Sequence, residues 1–394
     1  MKPRQAGSWR ERGGKILAMS ALMMPVMFGA ALVSTDTAVL TAAEAQLKCA
    51  ADSASLAGAM ILADETRLRG TTNLASLMTT SRSKAISIAA SNHVLGSPAV
   101  LANNLTNTTT GDIVIGYLSP SDYTTATPST TASQTLFNVV KVTTRRDASH
   151  GGPVNTFFGG AVGIGNQNMS VSSTALAQNL AIIGVKNISA AQNVNLLPIV
   201  LDTTTYTAMI NRTTADQYFY CPPPNPYVSA GADGVPESQL FPVGTGSPGN
   251  WGTINVGVSN NSTATLVSQI QSGITPAQMA TYSGSKIQLN TSLSPASITF
   301  GGNPGISAGI QSALTSQIGN TKVIGIYDTV TGNGNNTTYR VIGFAAVRIM
   351  AVNFQGNPKY VVVQPALIKD ASVIAGPAQT SWTSGGLVRV RLAR

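Results

Sequence analysis

An uncharged apolar run of 18 residues, at 16–33, follows a short basic N-terminus in this chain of 394 residues. With a helical rise of about 1.5 Å per residue, such a run covers about 27 Å, which is close to the hydrocarbon thickness of a bilayer. The fifteen residues before it carry five cations and a single acid, Glu11. Because cationic flanks stay on the cytoplasmic side, the sequence predicts a cytoplasmic segment at 1–15, a transmembrane anchor at 16–35 and translocation of the remainder.

The apolar pattern continues beyond the anchor with helical spacing. Residues 34–64 contain no proline and a single glycine, Gly58, so we expect one helix to run from the anchor into a helical stalk at 36–92. A basic N-terminus and an apolar run also describe a cleavable signal peptide. The small-x-small triplet Ala43-Glu44-Ala45 lies about a dozen residues beyond the run, so a retained anchor is favoured. The apolar stripe consists of Leu40, Ala43, Leu47, Ala51, Ala54, Ala57 and Ile61.

The composition indicates an extracytoplasmic protein. Only 10% of the residues are charged, so Ser, Thr, Asn and Gly must form most of the polar surface, as in strand-and-loop proteins. The formal charge is +9, of which +4 lies in the first fifteen residues and serves topology. The other cations are scattered, with only Arg145-Arg146 adjacent. A phosphate backbone needs a basic stripe, so we expect no nucleic-acid partner.

The chain has two cysteines, Cys49 and Cys221, and both fall on the predicted oxidising side of the membrane. A disulfide between them would close a large loop and stabilise the fold. Two unpaired thiols are equally compatible with the sequence, and intermolecular pairing is a third option. Sequence spacing does not show that the two Cα atoms come within bonding range.

The N-terminal region carries an unusual order of features. A glycine pair, Gly13-Gly14, precedes the apolar run with its central Pro25, and the small-residue helix AEAQLKCAADSASLAGA follows at 43–59. This order resembles the N-terminal segment of TadG-like proteins of the tight-adherence (Flp) pilus-assembly system. Further stretches that are similar to this family are the strand at 139–143, the paired aromatics Phe157-Phe158, the GIG at 163–165 and the strand at 171–177.

The resemblance implies a single-pass protein of the bacterial inner membrane that acts in Flp pilus assembly or secretion, with no cofactor and no enzymatic activity. The implied partners are other pilus-assembly or pilin-like membrane proteins. Small residues allow helices to approach closely. Pilin-type precursors are cut after a glycine that is followed five residues on by a glutamate, but Met19 stands there after Gly14. We therefore expect a retained assembly factor and not a fibre subunit. The helix-packing candidates are Ala50, Ala51, Ala54 and Gly58.

Short β-prone runs separated by Gly, Asn and Thr dominate the chain after the stalk. They divide it into a first β-rich region at 93–205, a Pro/Gly-rich connector at 206–252 and a second β-rich α+β region at 253–394. The connector is a candidate domain boundary, and an insertion within one sheet is the alternative. Helical patterns at 264–272, 275–282 and 306–318 do not alternate regularly with strands. The expected fold class is α+β: an N-terminal transmembrane helix continues into a long extracytoplasmic helix and is followed by a β-rich globular head.

Catalytic patterns in the sequence are weak. Residues 305–309 match GxSxG, which would make Ser307 the nucleophile of an envelope-located serine hydrolase. However, His93 and His150 both precede that serine, against the order of the α/β-hydrolase triad. The GxGxxG letters at 244–249 precede a predicted strand, whereas dinucleotide binding needs them after one. No catalytic or cofactor-binding residue is predicted.

Metal chemistry has few candidate ligands. Some TadG-like proteins carry a DxSxS metal motif, but the nearest string here runs from Asp202 to Tyr206 and has a tyrosine in place of the second hydroxyl ligand. His150 stands in a predicted turn and is expected at the surface. No metal site is therefore predicted. The favoured function is a non-enzymatic, membrane-anchored assembly component with a protein-binding head, and a secreted adhesive surface protein is a further alternative to the hydrolase.

Overall fold

The structure is a computed structural model that describes residues 9–70, 74–120, 127–162, 165–241, 250–259, 262–304, 308–356 and 359–393. A 3₁₀ helix at Glu65–Arg69 follows the first α-helix directly. The α-helices are α1 (Trp9–Leu62), α2 (Leu74–Ala90), α3 (Thr203–Ile210), α4 (Thr263–Ser272), α5 (Pro276–Met279) and α6 (Gln311–Thr315).

Twenty strands are described. The first ten are β1 (His93–Val94), β2 (Ser97–Pro98), β3 (Ile113–Gly116), β4 (Val139–Arg146), β5 (Val154–Asn155), β6 (Asn166–Gln167), β7 (Met169–Lys186), β8 (Leu196–Asp202), β9 (Tyr218–Cys221) and β10 (Tyr227–Ala230). The others are β11 (Ser238–Phe241), β12 (Asn250–Ile254), β13 (Lys286–Gln288), β14 (Ile298–Pro304), β15 (Thr321–Thr331), β16 (Thr338–Asn353), β17 (Tyr360–Pro365), β18 (Leu367–Ile368), β19 (Val373–Gln379) and β20 (Gly386–Leu392).

Helix α1 is a single helix of 54 residues that has two different surroundings. Pro25 lies inside it, and the segment around this proline is exposed on all sides. From Ala43 onward the stripe of small and apolar residues is buried against α2, β4 and β7. The absence of further helix breakers before Asp64 explains why the helix does not end between these two parts.

The head is built around one large sheet. Fourteen of the described strands belong to it, and their pairings are antiparallel except for β8 with β15 and β18 with β20. Strand β7 is its central element, because it pairs with β4 along its first half and with β20, β19 and β13 further on. Strands from before and after the connector at 206–252 are thus hydrogen-bonded in one sheet. The division into two β-rich regions stays a prediction about folding units.

In the described residues, the buried apolar side chains form one large cluster with α1, two further large clusters in the rest of the head and two small ones. We call the first the stalk core; it joins the buried stripe of α1 to α2, β3, β4 and the first half of β7. The Thr144 hydroxyl of β4 donates to the Leu47 carbonyl of α1 over 2.9 Å, in a buried position. The other two large clusters both include β8, β15 and β16; one of them adds the second half of β7, and the other adds α3, α4 and α6. The expected α+β class, with a long N-terminal helix and a β-rich head, is confirmed.

Differences from the sequence expectation concern element length. Strand β7 runs to Lys186 instead of ending at 177, because its second half is paired on both edges. The helices expected at 275–282 and 306–318 are shorter, as α5 and α6. Tyr282 lies beyond the end of α5, and its ring packs against Phe300 at the edge of a buried cluster. Its place in the sequence pattern therefore reflects packing against the core and not a longer helix.

Candidate functional site

The part of α1 before Asp36 presents a continuous apolar surface. Nine of its large apolar side chains are more than half exposed, although such residues are normally buried in a folded protein. Within the described residues, the helical stretch Leu17–Arg69 is long and apolar enough to cross a membrane, and none of its most apolar part is buried. Because this part of the helix is not buried, it is not the core helix of a folded domain. A signal sequence, however, can satisfy the same criteria of length and apolar composition. The exposed residues are Leu17, Met19, Leu22, Met23, Met24, Val26, Met27, Phe28 and Val33.

Directly after this apolar surface, α1 holds a loop of the head through one carboxylate. Asp36 is buried, and its oxygens accept hydrogen bonds from the backbone N–H groups of Phe157, Phe158 and Gly159 at 2.7 to 3.3 Å. Hydrogen bonds between a carboxylate and backbone N–H groups are among the stronger ones in proteins. Sequence reasoning missed Asp36, although it is the first acid after Glu11. The contact links residues 121 to 123 positions apart, which one sequence does not reveal.

The predicted helix-packing residues lie inside the chain's own stalk core. Ala50, Ala51 and Ala54 are fully buried against the same molecule. A Cβ added at Gly58 would lie 3.1 Å from Val140 and 3.3 Å from the Ser81 hydroxyl, so only glycine fits there without displacement. The physical reason is that the small residues let α2 and the sheet approach α1 closely. These four positions therefore offer no free face to a second protein.

The far end of the stalk is fixed to the sheet by a partly buried ion pair. Arg348 of β16 lies 2.9 Å from a carboxylate oxygen of Glu65, and its guanidinium lies 3.5 Å above the ring of Tyr220. The second Glu65 oxygen also accepts the N–H of Leu367. Glu65 thus attaches the 3₁₀ helix that follows α1 to both β16 and β18.

A cavity of about 600 Å³ lies beside this junction. Its described lining holds three arginines and no carboxylate. Arg67 donates to the carbonyls of Leu62, Phe137 and Thr135 and stacks on Trp382 at 4.2 Å. Burial lowers its pKa to about 9. Arg212 also donates to backbone carbonyls. Most guanidinium N–H groups of Arg67 and Arg212 thus donate to carbonyls of the same chain. These arginines therefore hold the surrounding segments together.

His150 is nearly buried, which corrects the expectation of a surface histidine. Its Nε2 lies 2.9 Å from a carboxylate oxygen of Asp112, and its Nδ1 lies 2.7 Å from one of Asp147. Asp112 is buried and also contacts Arg145 at 2.9 Å and the N–H of Ala102. The turn packs against Asp112, the residue directly before β3, and the local sequence around His150 does not show this contact. Because each ring nitrogen contacts a carboxylate, His150 connects the turn to Asp112.

The two cysteines are both free thiols in the structure. Cys49 is exposed on α1, with its sulfur 4.0 Å from the Asn92 side-chain oxygen. Cys221 ends β9 and is half-buried. A disulfide between them is therefore absent here, and pairing stays a prediction about the protein in an oxidising compartment.

The described residues hold no cluster of three or more His, Cys, Asp or Glu side chains that could bind a metal ion. Asp202, from the string compared with DxSxS, instead caps α3 by accepting the N–H of Thr205 over 2.8 Å. Ser307 and the GxGxxG letters at 244–249 lie outside the described residues.

A family model described as putative Tad-like Flp pilus-assembly matches residues 29–175. The match supports a Tad/Flp pilus-assembly family. The matched segment starts within the exposed part of α1 and ends inside β7, so it covers the Asp36 contact and most of the stalk core. The resemblance drawn from the sequence is confirmed at the level of this family. No curated protein and no solved structure matches the chain.

Proposed function

We propose that this protein is a single-pass, non-enzymatic component of Flp/Tad-type pilus assembly or secretion, of the TadG-like kind. Its N-terminus lies in the cytoplasm and its head on the other side of the bacterial inner membrane. The family match supports a role in pilus assembly, and that family suggests a structural or assembly role without catalysis. The single observation that carries the anchor is the exposed apolar surface of α1 between Leu17 and Val33.

The hydrophobic effect supports retention of this helix in the bilayer. Each large apolar side chain gains about 1.5–3 kcal/mol when it leaves water completely. Nine such side chains are exposed before Asp36. Removing a signal sequence at Ala45 would also remove Ala43, which is buried in the stalk core, together with the Asp36 carboxylate. The same helix therefore serves the bilayer and the fold.

Partner helices would pack on the anchor and not on the stalk. The four small residues of the stalk are occupied within the chain. Within the anchor, a Cβ added at Gly29 would meet nothing within 4 Å, and Ala30 and Ala31 follow it. Because close helix approach in membranes uses small residues, this is where we place the contact with other pilus-assembly or pilin-like membrane proteins.

The first test concerns anchoring and topology. In alkali-washed membranes, the intact mass of the native protein should correspond to a chain that begins near Met1. Exposed Cys49 should react with a membrane-impermeant maleimide added from the extracytoplasmic side of spheroplasts, and Cys49→Ser is the matched control. A mature chain beginning near Gln46, or labelling only after the membrane is opened, would contradict the anchor or its orientation.

The second test concerns assembly. A deletion strain of the native host should lose Flp pili and recover them with the wild-type gene. We expect Gly29→Leu to assemble few pili at normal protein level, because the added side chain separates the packed helices. Val33→Leu is the matched control in the same helix. Ser307→Ala should assemble pili normally, and its failure to do so would favour the hydrolase. Normal piliation of the deletion strain would refute the assembly role.

A further inference from the structure

The loop held by Asp36 displays two aromatic side chains to solvent. Phe157 is 73% exposed and Phe158 is 41% exposed. Their rings contact each other, with centroids 6.4 Å apart. A phenylalanine ring is a large apolar surface that is normally removed from water. Neither ring is needed to fix the loop, because the backbone N–H groups of both residues bind Asp36.

The position of this loop along α1 is set by Asp36. That residue lies three positions after Val33, the last residue of the apolar run. At about 1.5 Å per residue, its Cα is only about 4.5 Å further along the helix axis. The headgroup region on each side of the hydrocarbon is about 5–8 Å thick, from total and core thicknesses of a bilayer. The Phe157 N–H, 2.7 Å from the Asp36 carboxylate, is held at that level.

The charge distribution around the loop fits a bilayer. Between Asp147 and Lys186 the sequence has no Asp, Glu, Lys or Arg. The loop therefore brings no charged side chain of its own toward the apolar layer, which would cost far more than the rings gain, and the Asp36 carboxylate keeps its backbone N–H donors. A protein partner would fit the same rings, but the height of the loop beside the anchor favours lipid.

We propose that Phe157 and Phe158 insert into the extracytoplasmic leaflet beside the anchor and form a second membrane contact of the head. This inference rests on the proposed membrane anchor. Asp36 is the positioning residue, since its carboxylate fixes the loop against α1 where the helix leaves the hydrocarbon. The head then touches the bilayer at two places, so its tilt relative to the membrane is restrained.

Site-directed spin labelling of the full chain tests this proposal. In a Cys49→Ser, Cys221→Ser background, single cysteines at positions 28, 157 and 227 are labelled with a nitroxide. The protein is placed in phosphatidylethanolamine–phosphatidylglycerol vesicles. Phe28 lies in the exposed apolar run, and exposed Tyr227 lies on β10, whose partner strand β9 contacts Arg69 of the 3₁₀ helix after α1. Collision of each label with oxygen, which concentrates in lipid, is compared with collision with a water-soluble nickel chelate.

We expect oxygen to exceed the nickel chelate at positions 28 and 157, and the reverse at position 227. Adding Asp36→Ala should return the label at position 157 to water while position 28 stays in lipid. A label at 157 that meets mainly the nickel chelate, or neither reagent, while position 28 lies in lipid overturns the inference and leaves the anchor intact. A water-exposed label at position 28 overturns the proposed anchor itself.

Discussion

The ion pair between Glu65 and Arg348 provides a quantitative test of how the long helix is fixed to the head. The Arg348 side chain is 6% exposed and that of Glu65 is 29% exposed. Besides the carboxylate, the guanidinium reaches the Gly319 carbonyl at 3.0 Å and the face of Tyr220. Glu65→Ala removes the counter-charge and leaves the guanidinium in place.

The expected loss of stability follows from these partners. Breaking a buried pair by removing one member typically costs about 3–5 kcal/mol, because the remaining charge is poorly solvated. Water reaches the Glu65 side, and Arg348 keeps its carbonyl and ring contacts, which places the loss near the lower end, at about 3 kcal/mol. With an unfolding entropy of about 2.1 cal/mol/K per residue, a chain of this size would lose about 4 °C of Tm.

The assay is thermal unfolding of the full chain in one detergent, followed by circular dichroism of wild type and variants. Asp328→Ala is the matched control, because it breaks the exposed pair between Asp328 and Arg340 on the same sheet. An exposed pair contributes little, so its Tm should stay close to that of the wild type. Equal shifts for Glu65→Ala and Asp328→Ala would refute the argument from burial.

Three further predictions use the same unfolding measurement. Gly58→Val should lower the free energy of unfolding by about 1–3 kcal/mol, because a Cβ at this position lies 3.1 Å from the Val140 side chain. An unchanged Tm would show that the stalk core can rearrange around the added side chain without cost. Asp112→Asn should lower Tm clearly, since the buried carboxylate has three partners, whereas Asp147→Asn at the exposed side of the same histidine should change little. Burial raises the pKa of Glu237 from 4.5 to about 7, although two backbone N–H donors act in the opposite direction. Between these two pH values the carboxyl group is protonated in the folded state and ionised in the unfolded state. Stability should therefore fall by up to about 1.4 kcal/mol per pH unit between about pH 4.5 and 7 and level off above, and Glu237→Gln should remove that slope.

Local patterns were sufficient to predict much of the fold. The long helix follows from a proline-free stretch with apolar residues at helical spacing, and α1 indeed runs without a break to Leu62. Strands β16 and β20 lie in the region that was expected to be β-rich at 253–394, and both contain β-branched residues, which fit a half-buried sheet surface. The family assignment also came from short-range features of the N-terminal region.

Contacts between distant parts of the chain were beyond a single sequence. Asp36 with Phe157, and Glu65 with Arg348, depend on how the sheet brings the chain back to the helix. The burial of His150 depends in the same way on Asp112, 38 positions earlier. The small residues of the stalk are buried against other parts of the same molecule, a neighbour that their spacing alone does not identify. Their packing against a partner helix stays a prediction.

Because α1 is continuous, it also fixes the rotation of the head relative to the exposed apolar part of the helix. Each residue of an α-helix turns the chain by about 100° and advances it by about 1.5 Å. Nine residues separate Val33, at the end of the proposed anchor, from Ala43, where the stalk core begins. No flexible linker absorbs a change in that number, since the segment is helical throughout. In the proposed topology, the rotation of the head around the membrane normal would therefore follow from this number of residues. A partner bound to the anchor would then meet the same side of the head in every molecule.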